Sequence, residues 1–268
     1  MSKSIDASIV LLGCTSRGRL QALTNVVDSI ESYDVSFKQK IITLDIFTNT
    51  QVPEGFQKQF EDRGWQFFAA PVNGMVNNLT QGLAHATQDW VFYVEDDVFI
   101  NKLPTKDQFC RMMEIKSEGR PPGIISYTYG GYEFKRISRE RLQISTKDLG
   151  QYRKVDDFLY WIRDESMNYG YHVEFPVTFF RTDLLRQCLA HAKEHCIGRF
   201  IESALTTSWF SLGFDKEYHK GTLLKYDEDI IREIQETMPK DYYSLIMDKN
   251  RDLWSPQNLQ TTPGRKIF

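Results

Sequence analysis

The chain has 268 residues, 41% of them apolar and 13% aromatic, which supplies the core of one large domain or two small ones. A net charge of −3 with no dominant basic patch argues against nucleic acid as a partner. No run of about 18 apolar residues occurs, and the opening Met1-Ser2-Lys3-Ser4-Ile5-Asp6 lacks a long apolar stretch, so a soluble cytoplasmic protein without leader or membrane span is expected. The four cysteines, Cys14, Cys110, Cys188 and Cys196, show no CxxC spacing. That spacing disfavours structural zinc and fits free thiols in a reducing compartment.

In chain order, Ser8–Gly13 predicts an apolar strand ending in a polar turn, Cys14-Thr15-Ser16-Arg17-Gly18. Leu20–Tyr33 carries Leu20, Leu23, Val26, Val27 and Ile30 at helical spacing. Lys40–Phe47 predicts a second strand, closed by Thr48-Asn49-Thr50. Gly55–Arg63 predicts a polar helix stopped by Gly64. A third strand, Trp65–Ala70, is followed by Pro71 and Gly74. Val76–Thr87 predicts a helix with Leu79, Leu83 and Ala86 on one face, and Trp90–Val94 a fourth strand. This alternation predicts an α/β fold with a mostly parallel central sheet and helices on both faces. Ligands of such sheets bind outside the carboxyl ends of the strands.

The second half is less regular. Pro104–Glu118 predicts a helix and Ile124–Tyr129 a strand. Residues 130–172 are polar and aromatic without a period, and include Tyr132, Tyr152, Tyr160, Trp161, Tyr169 and Tyr171. Val173–Arg181 predicts a strand that Pro176 pushes toward an edge or bend. Asp183–His195 and Arg199–Leu212 predict helices, and Thr222–Lys225 a short extended piece. From Met238 the chain holds Pro239, Pro256 and Pro263 and reads as an irregular tail, residues 238–268, lying on the domain surface.

The fourth strand stops on three consecutive carboxylates, Glu95-Asp96-Asp97. A buried strand cannot hide three charges, so they face solvent, a cation, or both. Carboxylate oxygens suit hard divalent cations such as Mg²⁺ and Mn²⁺, which in turn hold phosphates.

Three pieces together carry a family resemblance: Ile9-Val10-Leu11-Leu12-Gly13-Cys14-Thr15-Ser16-Arg17; then Ile41-Ile42-Thr43-Leu44-Asp45; then Gly74, Gly82-Leu83-Ala84-His85-Ala86 and Gln88-Asp89-Trp90-Val91-Phe92-Tyr93-Val94-Glu95-Asp96-Asp97. In these the chain resembles the GT-A glycosyltransferases, nucleotide-sugar-dependent enzymes with a Rossmann-like sheet. The triplet is similar to the Glu-Asp-Asp variant of that family's DxD signature. The resemblance covers residues 8–100 well and runs more loosely to Tyr226. It implies a single catalytic domain over residues 1–237, with a nucleotide-sugar half (1–100) and an acceptor half (101–237). Departures stand at Asp45-Ile46-Phe47-Thr48, where many inverting members have Asp-Asp-Gly-Ser, at Leu79-Thr80 in place of Arg-Asn, and at Glu202-Ser203 in place of Glu-Asp.

The resemblance implies a metal-dependent transfer of sugar from a nucleoside diphosphate, UDP favoured, to a hydroxyl of a glycan or other acceptor, with Mn²⁺ or Mg²⁺ as cofactor. Asp97 is the expected direct metal ligand, with Glu95 on a ribose hydroxyl or a water on the metal, and Asp96 beside them or turned into backbone hydrogen bonds. His219 lies where several members supply a late ligand. Thr15, Arg17, Asp45, Gly74 and Asn77 are the expected nucleotide contacts, Arg17 complementing diphosphate charge. Glu202, a lone acid in the apolar helix start Arg199-Phe200-Ile201-Glu202-Ser203-Ala204-Leu205, is the expected general base, which implies inversion. The aromatic segment 130–172, Trp161 foremost, is the expected acceptor platform. Two other readings stay open. Leu12-Gly13-Cys14-Thr15-Ser16-Arg17-Gly18-Arg19-Leu20 faintly echoes the loop of sugar-1-phosphate nucleotidyltransferases, and a non-catalytic carbohydrate-binding protein could use the same fold.

Overall fold

The computed structural model describes residues 4–16, 19–47, 50–72, 74–96, 98–100, 103–126, 152–163, 173, 177–197, 199, 201–225 and 254–256. Strands β1 (Ser4–Cys14), β2 (Ser36–Asp45), β3 (Gln66–Ala70) and β4 (Trp90–Glu95) alternate with helices α1 (Arg19–Glu31), α2 (Phe56–Glu61) and α3 (Met75–His85). Then follow β5 (Val98–Ile100), α4 (Lys106–Glu114), β6 (Pro122–Ser126), β7 (Tyr152–Val155), β8 (Phe158–Arg163), β9 (Val177–Arg181), α5 (Thr182–His195), α6 (Ile201–Ser211), α7 (Phe214–Glu217), β10 (His219–Lys225) and β11 (Trp254–Pro256).

The main sheet runs β3-β2-β1-β4-β9-β6-β10-β8-β7, and β11 pairs with β5 in a separate ribbon. β1 pairs parallel with β2 and β4, β2 with β3, and β6 with β10, while β9 and β8 run against their neighbours. The fold is therefore α/β around a mostly parallel, mixed sheet with helices on both faces, as the first-half alternation predicts. The order reverses at β1, whose two neighbours are β2 and β4. The carboxyl ends of β1 and β4 thus mark the topological switch point outside which such sheets bind ligands.

Residue alternation sorts the core into two layers. Ile9, Leu11, Phe92 and Val94 face α1, α2 and α4, whereas Val10, Leu12, Val91 and Tyr93 face α3, α5 and α6. Both faces of β1 and β4 are covered, which is why they read as continuous apolar runs rather than alternating ones. Each such Leu, Val or Phe contributes about 1.5–3 kcal/mol by leaving water. α3 sits close because Gly82 has no side chain: a Cβ there would lie 2.5 Å from Val10 Cγ1. Gly82→Ala would push this helix off the sheet.

Several expectations are corrected in detail. Within 130–172, residues 152–163 form the hairpin β7–β8, closed by Asp156-Asp157 with Asp156 at φ 51°. Asp tolerates that left-handed backbone, so no glycine signals the turn. Tyr160 is fully buried in the core and is not an acceptor platform. The helix expected over Pro104–Glu118 is the shorter α4, fixed by a capping box between Thr105 and Gln108. Of the tail, residues 254–256 form a strand on β5, and the rest lies outside the described residues. All four cysteines are free. Among the described residues no helix is long and apolar enough to cross a membrane.

Candidate functional site

The loops that leave the carboxyl ends of β1, β2, β3 and β4 are tied to one another by polar contacts. Thr15, just past β1, donates its amide to the Asp45 carbonyl at 3.0 Å, and its hydroxyl accepts the Phe47 amide at 2.9 Å and bonds the Thr50 hydroxyl. Thr15 is buried and serves the junction of two loops. Asp45, 4% exposed, accepts the Val72 amide on Oδ1 (3.1 Å) and the Gly74 amide on Oδ2 (2.7 Å). Its carboxylate thus holds the loop before α3, where the macrodipole also favours a negative charge. This corrects the expectation that Asp45 offers its carboxylate to a nucleobase. Gly74 sits at φ 131°, ψ 161°, a region essentially restricted to glycine. Asn77 is exposed in the first turn of α3 and donates to the Val72 carbonyl at 2.8 Å. Asn78, 3% exposed, bridges the Gly13 and Thr43 carbonyls at 2.9 and 3.2 Å, tying β1 to β2.

At the switch point β4 delivers its carboxylates alternately to the two faces of the sheet. Glu95 is half-buried, shares the face of Val91 and Tyr93, and accepts the Tyr93 hydroxyl at 3.0 Å. Asp96 is 1% exposed. Its Oδ2 accepts the Cys14 amide at 3.2 Å and its Oδ1 pairs with Arg19 at the start of α1. Asp96 is therefore spent inside the protein, which corrects its expected place among the nucleotide contacts and matches the backbone alternative. Burial and the Asp96 charge raise the Cys14 thiol above its ordinary pKa, so Cys14 stays protonated at neutral pH. Arg17 and Asp97 lie outside the described residues.

Glu202 falls in the first turn of α6 and is 5% exposed. Two contacts orient that helix. Near its end, Trp209 covers Gly123, where a Cβ would lie 2.6 Å from the indole. One turn earlier, Thr206 Oγ1 accepts the Val173 amide, ahead of β9, at 3.0 Å. Gly123 is at the start of β6, and Ile201, Ala204, Leu205 and Trp209 of α6 pack in the same apolar layer as Val91 and Tyr93 of β4. Glu95 and the helix that carries Glu202 therefore belong to the same face of the sheet.

His219 does not join them. It opens β10 opposite Pro122, at the other edge, and is 2% exposed. Its Nδ1 is 2.9 Å from the Arg120 carbonyl and its Nε2 is 2.9 Å from the Tyr160 hydroxyl. A carbonyl only accepts, so Nδ1 carries the proton and Nε2 accepts from Tyr160. Both ring nitrogens are committed, and the expectation of a metal ligand at His219 is corrected. Burial pulls its pKa from 6.5 to about 4. Among the described residues, no three metal-binding side chains converge.

Sequence reasoning missed Arg19 and Tyr93, which hold Asp96 and Glu95. The signals were present: Tyr93 lies two residues before Glu95 on the same strand face, and Arg19 opens a helix directly after the first polar turn.

No protein-family model matches the sequence, and no curated protein matches it significantly. Among solved structures the chain is similar to glucosyl-3-phosphoglycerate synthase from Mycobacterium tuberculosis in complex with Mn²⁺, UDP and glucosyl-3-phosphoglycerate, at 12% identity and TM-score 0.45, over 92% of this chain and 80% of that one. The same synthase with Mn²⁺, UDP-glucose and glycerol 3-phosphate matches at 13% identity and TM-score 0.45, over 92% and 80%. A further mycobacterial protein matches at 12% identity and TM-score 0.46, over 92% and 75%.

Proposed function

We propose that the chain is a GT-A-type, metal-dependent glycosyltransferase that moves a sugar from a nucleoside diphosphate, UDP favoured, to a hydroxyl of a glycan or related acceptor with inversion. The observation that carries this reading is the close of β4 at the switch point: a carboxylate run in which Asp96 is turned inward while Glu95 lies on the sheet face that the Glu202 helix covers. The donor chemistry fits a hard divalent cation, because the run offers carboxylate oxygens only. Asp97 is the residue assigned to hold Mn²⁺ or Mg²⁺, and Glu95, steadied by Tyr93, the residue assigned to a ribose hydroxyl. When bound, the cation neutralises the charge that develops on the departing diphosphate.

The remaining chemistry belongs to side chains. An acceptor hydroxyl between the end of β4 and the first turn of α6 gives its proton to Glu202 as its oxygen bonds the anomeric carbon. The bond from that carbon to the diphosphate oxygen breaks, and the diphosphate leaves on the opposite side. Thr15 and Gly74, on the loops after β1 and before α3, and Asn77, in the first turn of α3, are assigned to the nucleotide, as is Arg17. Asp45 contributes by holding the Val72 and Gly74 amides, and Trp161, with the segment 130–172 apart from the buried Tyr160, is assigned to the acceptor.

The test is donor turnover. UDP release from a panel of UDP-sugars with MnCl₂ should vanish in EDTA and in Asp97→Ala. Release that persists unchanged in both contradicts the reading, and pyrophosphate release from nucleoside triphosphate and sugar phosphate would replace it with nucleotidyl transfer.

A further inference from the structure

We infer that Arg19 is a positioning residue that acts through Asp96 to aim the acidic end of β4; the inference rests on the glycosyltransferase reading above. The register of β1 against β4 ends at Leu12 opposite Glu95. Past that point the Cys14 amide has left the β1–β4 ladder, and the Asp96 carboxylate takes it at 3.2 Å. Arg19 then binds the other carboxylate oxygen from the first residue of α1. Asp96 thus extends the strand pairing with its side chain, while Arg19 joins it to the turn between β1 and α1. That turn is further braced by the Arg19 amide on the Ser16 carbonyl at 3.1 Å and by Cys14 Sγ against Ser16 Oγ at 3.0 Å.

The charge balance makes this contact decisive. Asp96 is 1% exposed and Arg19 is 16% exposed in its side chain. A buried carboxylate persists only when paired and hydrogen-bonded. Here two more carboxylates follow and precede it along the chain, and their repulsion would turn it out into the crevice. The Arg19 guanidinium offsets that repulsion and keeps Asp96 on the α1 face, so Glu95 is left on the α3 face. Asp97, the residue assigned to the metal, follows directly in the chain. Removing Arg19 leaves a buried charge without its counter-ion, which favours the Asp96 carboxylate swinging outward and disturbing the end of β4.

Outer partners of metal ligands typically cost about 10–100-fold in metal affinity when removed, which sets the scale expected here. The experiment titrates Mn²⁺ alone, Mn²⁺ with UDP and Mn²⁺ with GDP, following the free-Mn²⁺ paramagnetic resonance signal, in wild type, Arg19→Ala, Arg19→Lys, Asp96→Asn and the double variant Arg19→Ala with Asp96→Asn. Melting temperature is recorded for each. Arg19→Ala should weaken Mn²⁺ binding with nucleotide at least about tenfold. Arg19→Lys should recover part of the loss, since it keeps the charge without the fork. The double variant should be no weaker than the worse single one, as expected for two residues acting as one unit. A lowered melting temperature with unchanged Mn²⁺ affinity overturns the inference and leaves the functional reading standing. A wild-type protein that binds neither Mn²⁺–UDP nor Mn²⁺–GDP overturns both. If Arg19→Ala does not fold, Arg19→Lys and Asp96→Asn carry the same comparison.

Discussion

At the carboxyl end of β4, Asp96 is 1% exposed and holds the Cys14 amide and Arg19; at the opposite edge, His219 is 2% exposed and holds the Arg120 carbonyl and Tyr160. The two side chains are equally buried and both are hydrogen-bonded, yet they serve different ends. Asp96 is one of three successive carboxylates where a ladder stops, and with Asp96 held on the α1 face Glu95 lies on the α3 face. His219 has two ring nitrogens and both are used, so nothing remains for a ligand. Burial of a polar group therefore does not by itself mark a site.

The largest effect that bears on this contrast is expected at Glu202, on the crevice side. Glu202→Gln preserves shape but removes the proton acceptor, so kcat should fall about 10²–10⁴-fold while donor KM changes little. Unchanged kcat with a small shift in melting temperature would reduce Glu202 to a helix-start residue and break the crevice side of the comparison. On the His219 side, a Cβ at Gly221 would lie 2.2 Å from the Tyr160 ring. Gly221→Ala should therefore cost about 1–3 kcal/mol as overpacking, read as a lower melting temperature with Mn²⁺–UDP affinity intact. A loss of nucleotide affinity at constant stability would tie this corner to the site after all.

Asp45 lies between these cases, at the ligand edge yet spent on backbone. Asp45→Ala leaves the Val72 and Gly74 amides without their acceptor, at about 1–3 kcal/mol for buried groups, and chemical denaturation should show that loss. The smallest effect expected is a pH dependence. The His219 pKa lies at about 4 in the fold against 6.5 outside it. Between those values the unfolded chain binds more protons, so stability should fall as pH drops from about 6.5 toward 4 and level off below. A His219→Gln variant compared over the same range should show a shallower fall; an equal fall would assign the effect elsewhere.

Much of this was legible in the sequence. β1 to β4 carry apolar runs long enough to mark strands covered on both faces, and the polar turns after them mark the ligand edge. Gly82 and the carboxylate triplet are visible as residues out of place in their surroundings. The rest depended on contacts distant in the chain. β9 inserts between β4 and β6, a pairing that no local pattern encodes. The β7–β8 turn uses Asp156-Asp157 rather than glycine, so its hairpin was hidden among polar residues. Asp45 and His219 hold residue types that suit ligands, and their partners, Gly74 and Tyr160, lie 29 and 59 residues away. Separating a committed group from an available one required those partners.

The central claim is that the end of β4 binds a metal–diphosphate unit, and calorimetric titration of UDP into wild type and Asp97→Ala, each with and without MnCl₂, tests it most directly. UDP should bind tightly only to wild type with Mn²⁺, and weakly in the other three cases. Equal UDP affinity across all four would contradict it.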